Sequence, residues 1–170
     1  MKTLILINGP NGVGKSTTCA CLHQYLPHSS WLDSEWCRMI NPFGFTPEIE
    51  LLTERHISLL LRGYLECSLV EYVIFSWGFH GPRKRIFNRV LHHLQDLTFQ
   101  LLPITLVCSE EENIRRMEQD GREDERIQGG LQTRPLYESQ ANKTIDTTLL
   151  TVEETVKEIL AILRDDQRQA

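Results

Sequence analysis

The chain has 170 residues, which suits one domain with its own hydrophobic core and is too short for two. Apolar residues make up 41% and charged residues 24% of it, which excludes a wholly disordered protein. The net charge of −5 argues against a general nucleic-acid-binding protein, because such a protein needs a basic surface to displace counterions from phosphate. Arginine nevertheless accounts for 13 of the 18 basic residues, and arginine binds phosphate through parallel N–H groups.

Targeting segments and disulfides are not predicted. The apolar run at 3–7 is too short for a signal peptide and is followed at once by turn residues, and no stretch approaches the roughly 18 apolar residues of a membrane span. The five cysteines are odd in number and scattered through apolar segments, which is typical of thiols in a reducing compartment. We therefore expect a cytoplasmic protein without a membrane partner.

Strands and helices alternate along the chain. Continuous apolar runs predict buried strands at 3–7, 30–32, 72–76 and 104–108, and a last short strand at 144–147. Helices are predicted at 15–26, from about 34 to 41, at 47–69, at 82–97, from 109 onward and at 152–165, while the charged, glycine-containing stretch 120–133 is predicted to be a mobile surface element. This order predicts a single α/β domain with a doubly wound, five-stranded parallel sheet that binds ligands at the carboxyl ends of its strands.

Residues 9–16, GPNGVGKS, match the phosphate-binding pattern G-x-x-x-x-G-K-[ST] and lie between the first strand and the first helix. The glycines allow the loop to curl so that its N–H groups converge on phosphate oxygens, and the helix directs its positive end to the same place. Lys15 is then expected to reach the β- and γ-phosphates, and the Ser16 hydroxyl to hold Mg²⁺. The predicted nucleotide-binding residues are Gly9, Asn11, Gly12, Val13, Gly14, Lys15, Ser16 and Thr17.

Acidic residues follow the second strand, and none ends the third. Asp33 can accept a proton from an attacking hydroxyl or organise Mg²⁺ and its waters, and it can equally well be the N-cap of the next helix. The third strand ends at Ser76, where many P-loop ATPases have an acidic Mg²⁺ ligand, so the metal-organising role moves to Asp33.

Arginines crowd the segment after the fourth strand. Arg122 and Arg126 are four residues apart and would share one face of a helix, from which they could stabilise charge that develops during phosphoryl transfer. A solvated helix in which the neighbouring carboxylates pair with the arginines explains the spacing equally well.

With these motifs, the chain resembles the small P-loop kinases: nucleoside-monophosphate, shikimate and gluconate kinases, chloramphenicol phosphotransferase and the tunicamycin-resistance proteins. The resemblance rests on residues 9–16, Asp33, the arginines of 115–126 and the stretch 144–147 before the last helix. It implies ATP and Mg²⁺ as cofactors, a lid segment at 115–133 on a core of 1–114 and 134–170, and Arg116 among the nucleotide-binding residues. It also implies adenine near Thr147 and Thr148, and an acceptor pocket around 33–65 and 76–85.

The acceptor stays open between two classes. Asp33 and Glu35 favour a neutral hydroxyl compound, because in such kinases the acid after the second strand resembles a base. Arginines favour an anionic acceptor such as a nucleoside monophosphate; the candidates are Arg38, Arg62, Arg83 and Arg85. The aromatic residues near both segments, which include Trp77, are more often core than ligand, and a lone loop histidine such as His80 is more often structural than catalytic.

The sequence therefore predicts an ATP-dependent kinase of a small molecule, present as a monomer or homodimer. The expected catalytic residues are Lys15, Asp33, Arg122 and Arg126, with Glu35, Arg38, Trp77 and Arg83 beside Asp33 at the substrate and Ser16 with Asp33 at the metal. The competing interpretation is a nucleotide-dependent switch without a small-molecule acceptor. The missing acid at Ser76 and the lack of a guanine-reading motif count against it.

Overall fold

The computed structural model describes residues 1–140 and 142–169. Its strands are β1 (Lys2–Asn8), β2 (Ser29–Asp33), β3 (Tyr72–Ser76), β4 (Phe99–Val107) and β5 (Lys143–Asp146). Its helices are α1 (Lys15–Tyr25), α2 (Pro47–Glu66), α3 (Arg83–His93), α4 (Glu110–Gln119), α5 (Asp124–Leu131), α6 (Pro135–Glu138) and α7 (Val152–Gln169), with a 3₁₀ turn at Ser34–Arg38.

The five strands form one parallel sheet in the order β2-β3-β1-β4-β5, which confirms the predicted fold class. β1 lies at the centre, and its continuation forms the phosphate-binding loop. The register pairs Ser76 with both Ile7 and Asp33. The carboxyl ends of β1, β2 and β3 therefore meet at one edge of the sheet, where ligands bind in open α/β sheets.

Side chains of β1 alternate between two hydrophobic layers, because successive residues of a strand point to opposite faces. Ile5 and Ile7 belong to the layer that contains residues of α1 and α7. Leu4 and Leu6 belong to the layer that contains residues of α2 and α3. This two-sided burial explains why the strands consist of continuous apolar runs. Within the described residues, no helix is both long and apolar enough to cross a membrane.

Some predicted boundaries were wrong. The segment after β2 is not a helix reaching residue 41 but a five-residue 3₁₀ turn, in which Asp33 caps the backbone N–H of Glu35. β4 begins at Phe99, five residues earlier than predicted, because Pro103 lies within it and hides its pairing with β1 in the sequence. The stretch predicted as a mobile surface element contains α5 and connects to α6.

Candidate active site

The phosphate-binding loop joins β1 to α1 with the backbone that its glycines permit. Gly9 has φ +149°, and a Cβ there would lie 2.4 Å from the backbone oxygen of Leu106. Gly12 has φ +80°, and its Cβ would lie 2.2 Å from Cγ of Met117. Other residues are therefore strained at both positions, and the loop curls closely against β4 and α4.

Lys15 lies folded over this loop. Its Nζ donates to the carbonyl oxygens of Gly9 and Pro10, at 2.9 and 2.8 Å. Burial lowers the pKa of Lys15 to about 8, and the positive charges of Arg83 and Arg122 add to the effect. The ammonium group is thus held at the loop in an environment that favours anions.

Asp33 caps the 3₁₀ turn, as its position suggested, and it also lines the cavity where its chemical role is predicted. One oxygen, Oδ1, accepts the backbone N–H of Glu35 at 2.9 Å and so caps the 3₁₀ turn. The residue is only 4% exposed, and it lines the large cavity at the sheet edge. The cap orients the carboxylate and leaves Oδ2 available for chemistry.

This cavity has a volume of about 1570 Å³, larger than the roughly 300–1,000 Å³ of a typical single-ligand pocket. It therefore has room for a nucleotide and a second small molecule. The predicted residues that line it are Asn11, Gly12, Val13, Gly14, Lys15, Ser16, Thr17, Asp33, Glu35, Arg38, Arg83, Arg116, Arg122 and Arg126.

Arg116 joins three parts of the nucleotide half of this cavity. Its guanidinium donates to Glu112 on α4 at 2.7 Å, to the Val13 oxygen at 2.9 Å, and to the carbonyl and hydroxyl oxygens of Thr147 at 2.7 and 3.0 Å. Asn113, fully buried, donates from Nδ2 to the Asn11 oxygen at 2.9 Å. The start of the lid segment is thus fixed to the phosphate-binding loop and to the loop before α7.

The two lid arginines do not share a helix, contrary to the prediction. Arg122 precedes α5, which begins at Asp124, and it pairs with Asp120 at 3.0 Å. Arg126 lies within α5 and is exposed. Both side chains nevertheless face the cavity that contains Lys15. Within 1–140 and 142–169, Arg126 has no acidic partner within 4 Å.

The part of the cavity where the acceptor is predicted, called the acceptor half below, contains Arg38 and Arg83 against aromatic rings. The Arg38 guanidinium carbon lies 5.6 Å from the centre of the Phe45 ring and 5.4 Å from that of Trp77, and the Arg83 carbon lies 4.9 Å from the Phe45 centre. The Arg38 side chain is only 5% exposed; it contacts Glu35, and its Nη1 has no hydrogen-bond partner among the described residues. Burial and the nearby Arg38 lower the pKa of Arg83 to about 10.

Three predicted acceptor contacts lie elsewhere. Trp77 is fully buried and does not line the cavity. Its Nε1 donates to the Arg83 carbonyl at 3.1 Å, and its ring packs against the Arg38 guanidinium. Arg62 pairs with Asp96 at 2.6 Å on the outer surface of the helices. Arg85 pairs with Glu50 at 2.7 Å, outside the cavity. The acidic partners of Arg62 and Arg85 lie 34 and 35 residues away in the chain, so the sequence pattern did not reveal them.

Tyr137 is a site residue that the sequence reasoning missed. It lies on α6, directly after the lid segment, and its buried hydroxyl contacts the loop after β3. An aromatic residue in a short helix gives no signal of such a contact, because its partners are 57 and 58 residues away in the chain.

The cysteines agree with the prediction of free thiols. All five are unpaired; three are buried and two are half-buried. No cluster of three or more His, Cys, Asp or Glu side chains suited to a metal occurs in the described part of the chain.

The residues at the strand ends fit Mg²⁺, which prefers oxygen ligands and usually keeps waters and substrate phosphates in its shell. Ser16 and Asp33 line the same cavity and supply a hydroxyl and a carboxylate. The buried Ser76 hydroxyl, beside Asp33 in the sheet, has no hydrogen-bond partner in the described structure and suits a contact to a metal-bound water.

Comparisons with known proteins agree with this geometry. Residues 5–143 match a family model described as AAA domain. A search of curated protein sequences found no match. Among solved structures, the chain is similar to a tunicamycin resistance protein from Deinococcus radiodurans, with 22% identity, 96% of each chain covered and a TM-score of 0.69.

Two further structures of known kinases are similar over nearly the whole chain. A shikimate kinase from Acinetobacter baumannii is 19% identical, with 98% of this chain and 95% of the other covered and a TM-score of 0.64. A thymidylate kinase from Candida albicans is 16% identical, with 99% and 94% covered and a TM-score of 0.65. At these identities the likeness shows a shared fold. The chain belongs to the AAA domain family, and its fold is that of the small P-loop kinases.

Proposed function

We propose that the chain is an ATP- and Mg²⁺-dependent phosphotransferase whose small-molecule acceptor carries an anionic group. One observation carries the proposal: Lys15, Asp33 and the Arg38–Arg83 pair line a single cavity. A nucleotide switch needs the phosphate-binding loop, but it does not need two arginines against aromatic rings beyond it.

The nucleotide half holds the donor. The loop N–H groups and Lys15 bind the phosphates, and Arg116 with Thr147 lies where the base is expected. Ser16 and Asp33 would hold Mg²⁺, which neutralises developing charge on the phosphates. Arg122 and Arg126 are positioned to stabilise the transferring group from the lid side.

The acceptor half binds the anion. Two guanidinium groups close together repel each other, and the Phe45 ring that both contact and the Glu35 carboxylate that pairs with Arg38 offset only part of that repulsion. An anionic group between the arginines offsets the rest, and the partnerless Nη1 of buried Arg38 provides a donor for it. This arrangement favours the anionic class of acceptor over a neutral polyol.

In the transfer step, an acceptor oxygen attacks the γ-phosphorus, the bond to the β–γ bridging oxygen breaks, and ADP leaves. A hydroxyl acceptor gives its proton to Asp33 Oδ2. An acceptor oxygen that is already ionised has no proton to give, and Asp33 then acts only on the metal and its waters.

The first test is acceptor-stimulated ADP release. The panel consists of nucleoside monophosphates, sugar phosphates, shikimate-like acids, neutral sugars, nucleosides and antibiotics. We expect stimulation by an anionic compound, and Arg38→Gln or Arg83→Gln to raise its KM by about tenfold or more while the KM for ATP stays within about twofold. Arg85→Gln is the matched control, since Arg85 binds Glu50 outside the cavity.

Stimulation of ADP release by neutral compounds alone would refute the anionic acceptor. No stimulation by any compound would favour the nucleotide-dependent switch.

The second test is Asp33→Asn. We expect kcat to fall by about 100-fold or more with the acceptor KM little changed, because the amide keeps the cap on the 3₁₀ turn but neither accepts a proton nor carries charge for the metal. Full activity of this variant on every accepted substrate would show that Asp33 has neither role.

A further inference from the structure

A buried tyrosine connects the end of the lid segment to the acceptor loop. Tyr137 on α6 is fully buried, and its Oη accepts the backbone N–H of Phe79 at 2.8 Å. The same Oη lies 3.2 Å from Nδ1 of His80. Both partners belong to the loop that runs from the end of β3 to α3.

The direction of the second hydrogen bond follows from the number of protons available. A phenol has one O–H to donate, and a buried O–H is costly if it is left without an acceptor. In the described structure, Nδ1 of His80 is the side-chain atom within hydrogen-bond distance of Oη. If Nδ1 carried a proton, two N–H groups would point at Oη and the phenolic proton would have no acceptor there. Tyr137 therefore donates to Nδ1.

His80 then carries its single ring proton on Nε2. Burial, together with the positive charges of Arg83, Lys15 and Arg38, lowers the pKa of His80 to about 4, so the ring is neutral at pH 7. A neutral imidazole whose Nδ1 accepts a hydrogen bond is the Nε2–H tautomer.

This histidine lies on the wall of the acceptor half of the cavity, together with Arg38 and Arg83. The close approach of the Tyr137 hydroxyl to the His80 ring depends on Gly78, whose backbone lies against both side chains. A Cβ at Gly78 would lie 3.1 Å from both Tyr137 Oη and His80 Cε1, tighter than ordinary van der Waals contact. The chain thus leaves room for the tyrosine and the histidine to meet.

We infer that Tyr137 is a positioning residue, which holds His80 in the tautomer that donates from Nε2 to an oxygen of the acceptor's anionic group. The acceptor role of His80 rests on the proposed function, whereas the tautomer does not. His80 thereby supplies a neutral, directional N–H donor in addition to the two arginines. The site then favours an anion that has an oxygen facing Nε2 of His80.

The tautomer is tested directly on the wild-type protein by long-range ¹H–¹⁵N NMR of its histidine rings at pH 7. We expect a pyridine-type Nδ1 and a pyrrole-type Nε2 for His80, assigned through His80→Gln. In Tyr137→Phe we expect this distinction to weaken as both tautomers become populated. A protonated Nδ1 in the wild type would overturn the inference, whatever the acceptor is.

The acceptor role is tested with inorganic phosphate as the probe, while a non-hydrolysable ATP analogue fills the nucleotide half. We expect saturable binding that Arg38→Gln weakens and that Tyr137→Phe weakens by about twofold to fivefold, because only the fraction of rings in the Nε2–H tautomer then binds. Since a glutamine amide can replace Nε2–H, His80→Gln should bind like the wild type and more tightly than Tyr137→Phe, whereas His80→Asn loses the donor and should bind about fivefold to tenfold more weakly than the wild type.

The double variant separates positioning from simple packing. Because glutamine needs no tautomer, Tyr137→Phe should have no further effect in the His80→Gln background. An equal loss in both backgrounds would show that Tyr137 is merely structural. The two claims can also fail separately. If NMR shows a pyridine-type Nδ1 but the wild type binds no phosphate, the anionic subsite of the proposed function is refuted and the tautomer assignment is confirmed.

Discussion

Lys15 lies among charges of both signs, and its protonation is sensitive to them. Its pKa of about 8 results first from burial and then from Arg83 and Arg122, while Asp33 acts in the opposite direction. The phosphates of a bound nucleotide favour the charged form of the Lys15 ammonium group and therefore raise the pKa of Lys15. Nucleotide binding is therefore linked to proton uptake above pH 8.

We expect the affinity for ADP to be nearly constant between pH 7 and 7.5 and to weaken by up to about tenfold per pH unit above 8, because the free protein then loses the Lys15 proton that the complex retains. Isothermal titration calorimetry in buffers of different ionisation enthalpy measures both the affinity and the proton uptake. Lys15→Arg is the control, since arginine stays charged and its affinity, whatever its absolute value, should not follow this profile. A wild-type affinity that is constant up to pH 9.5 would contradict the assignment.

At the residue scale, the sequence was informative wherever a motif constrains the backbone. Residues 11–16 and Asp33 line the cavity, because a phosphate-binding loop and a parallel sheet determine where strand ends meet, whereas the predicted Gly9 shapes the loop without lining the cavity. A single arginine outside a motif carries no such constraint, so the sequence does not show whether its side chain faces the cavity. Arg62 and Arg83 look equivalent in the sequence, and only the fold shows that the first has Asp96 and the second faces the cavity.

At the element scale, α2 and α3 are joined by a buried carboxylate. The Glu54 side chain is 6% exposed and contacts Arg89, while its second oxygen lies 2.8 Å from His93 Nε2. Burial raises the pKa of Glu54, but the hydrogen bonds from His93 and Arg89 outweigh it, so the pKa lies below its ordinary value. This ion cluster holds one side of the acceptor half together.

We expect Glu54→Gln to lower the free energy of unfolding at pH 7 by about 2 kcal/mol, the scale of hydrogen bonds to a charged group. Since the folded pKa is depressed, the stabilisation is complete above the unfolded pKa of roughly 4.3 and is lost as the pH falls through the lower folded value. Urea denaturation of the variant and wild type at pH 7 and pH 3.5 measures both effects, and the difference should shrink at the lower pH.

Glu66→Gln is the matched control for this variant. Glu66 pairs with Arg62 on the surface of the same helix, where an exposed ion pair contributes at most about 0.5 kcal/mol. Equal losses for the two variants would show that burial of Glu54 contributes nothing.

The elements themselves were largely predictable, because strands buried on both faces are continuous apolar runs and α2 begins with a threonine cap and a proline. The 3₁₀ turn at Ser34–Arg38 was not predictable from the sequence. Its Arg38 packs against the rings of Phe45, which follows the turn, and of Trp77, which directly follows β3, and the sequence pattern gave no sign of this tertiary packing. The sequence also gave no indication that α4 would fasten the phosphate-binding loop through Asn113.

At the scale of the whole molecule, charge is unevenly distributed. The protein carries a net charge of −5, yet seven of its Lys and Arg residues line one cavity, namely Lys15, Arg38, Arg83, Arg115, Arg116, Arg122 and Arg126. A local cationic cleft attracts anions over distances of about a Debye length, roughly 10 Å at 0.1 M salt, even when the total charge has the opposite sign.

We expect the association rate constant of ATP to fall by about threefold to tenfold when salt rises from about 0.02 to 0.5 M, because the cleft steers the anion. Stopped-flow fluorescence with a labelled ATP analogue measures this dependence. Arg126→Gln should reduce the slope, whereas Arg164→Gln, an exposed position on α7 outside the cavity, should not. A rate constant that rises with salt would show that the net negative charge dominates.

The guanidinium of Arg116 has a consequence for cofactor choice. This one planar group contacts Val13 at the phosphate-binding loop and Thr147 at the loop before α7. It acts as a fixed spacer, so the protein sets the distance between the two ends of the nucleotide site in advance. A nucleotide must then match this length, and analogues in which the link between the base and the first phosphate is longer or shorter should be rejected at binding rather than accommodated, whereas ATP and ADP share the same link.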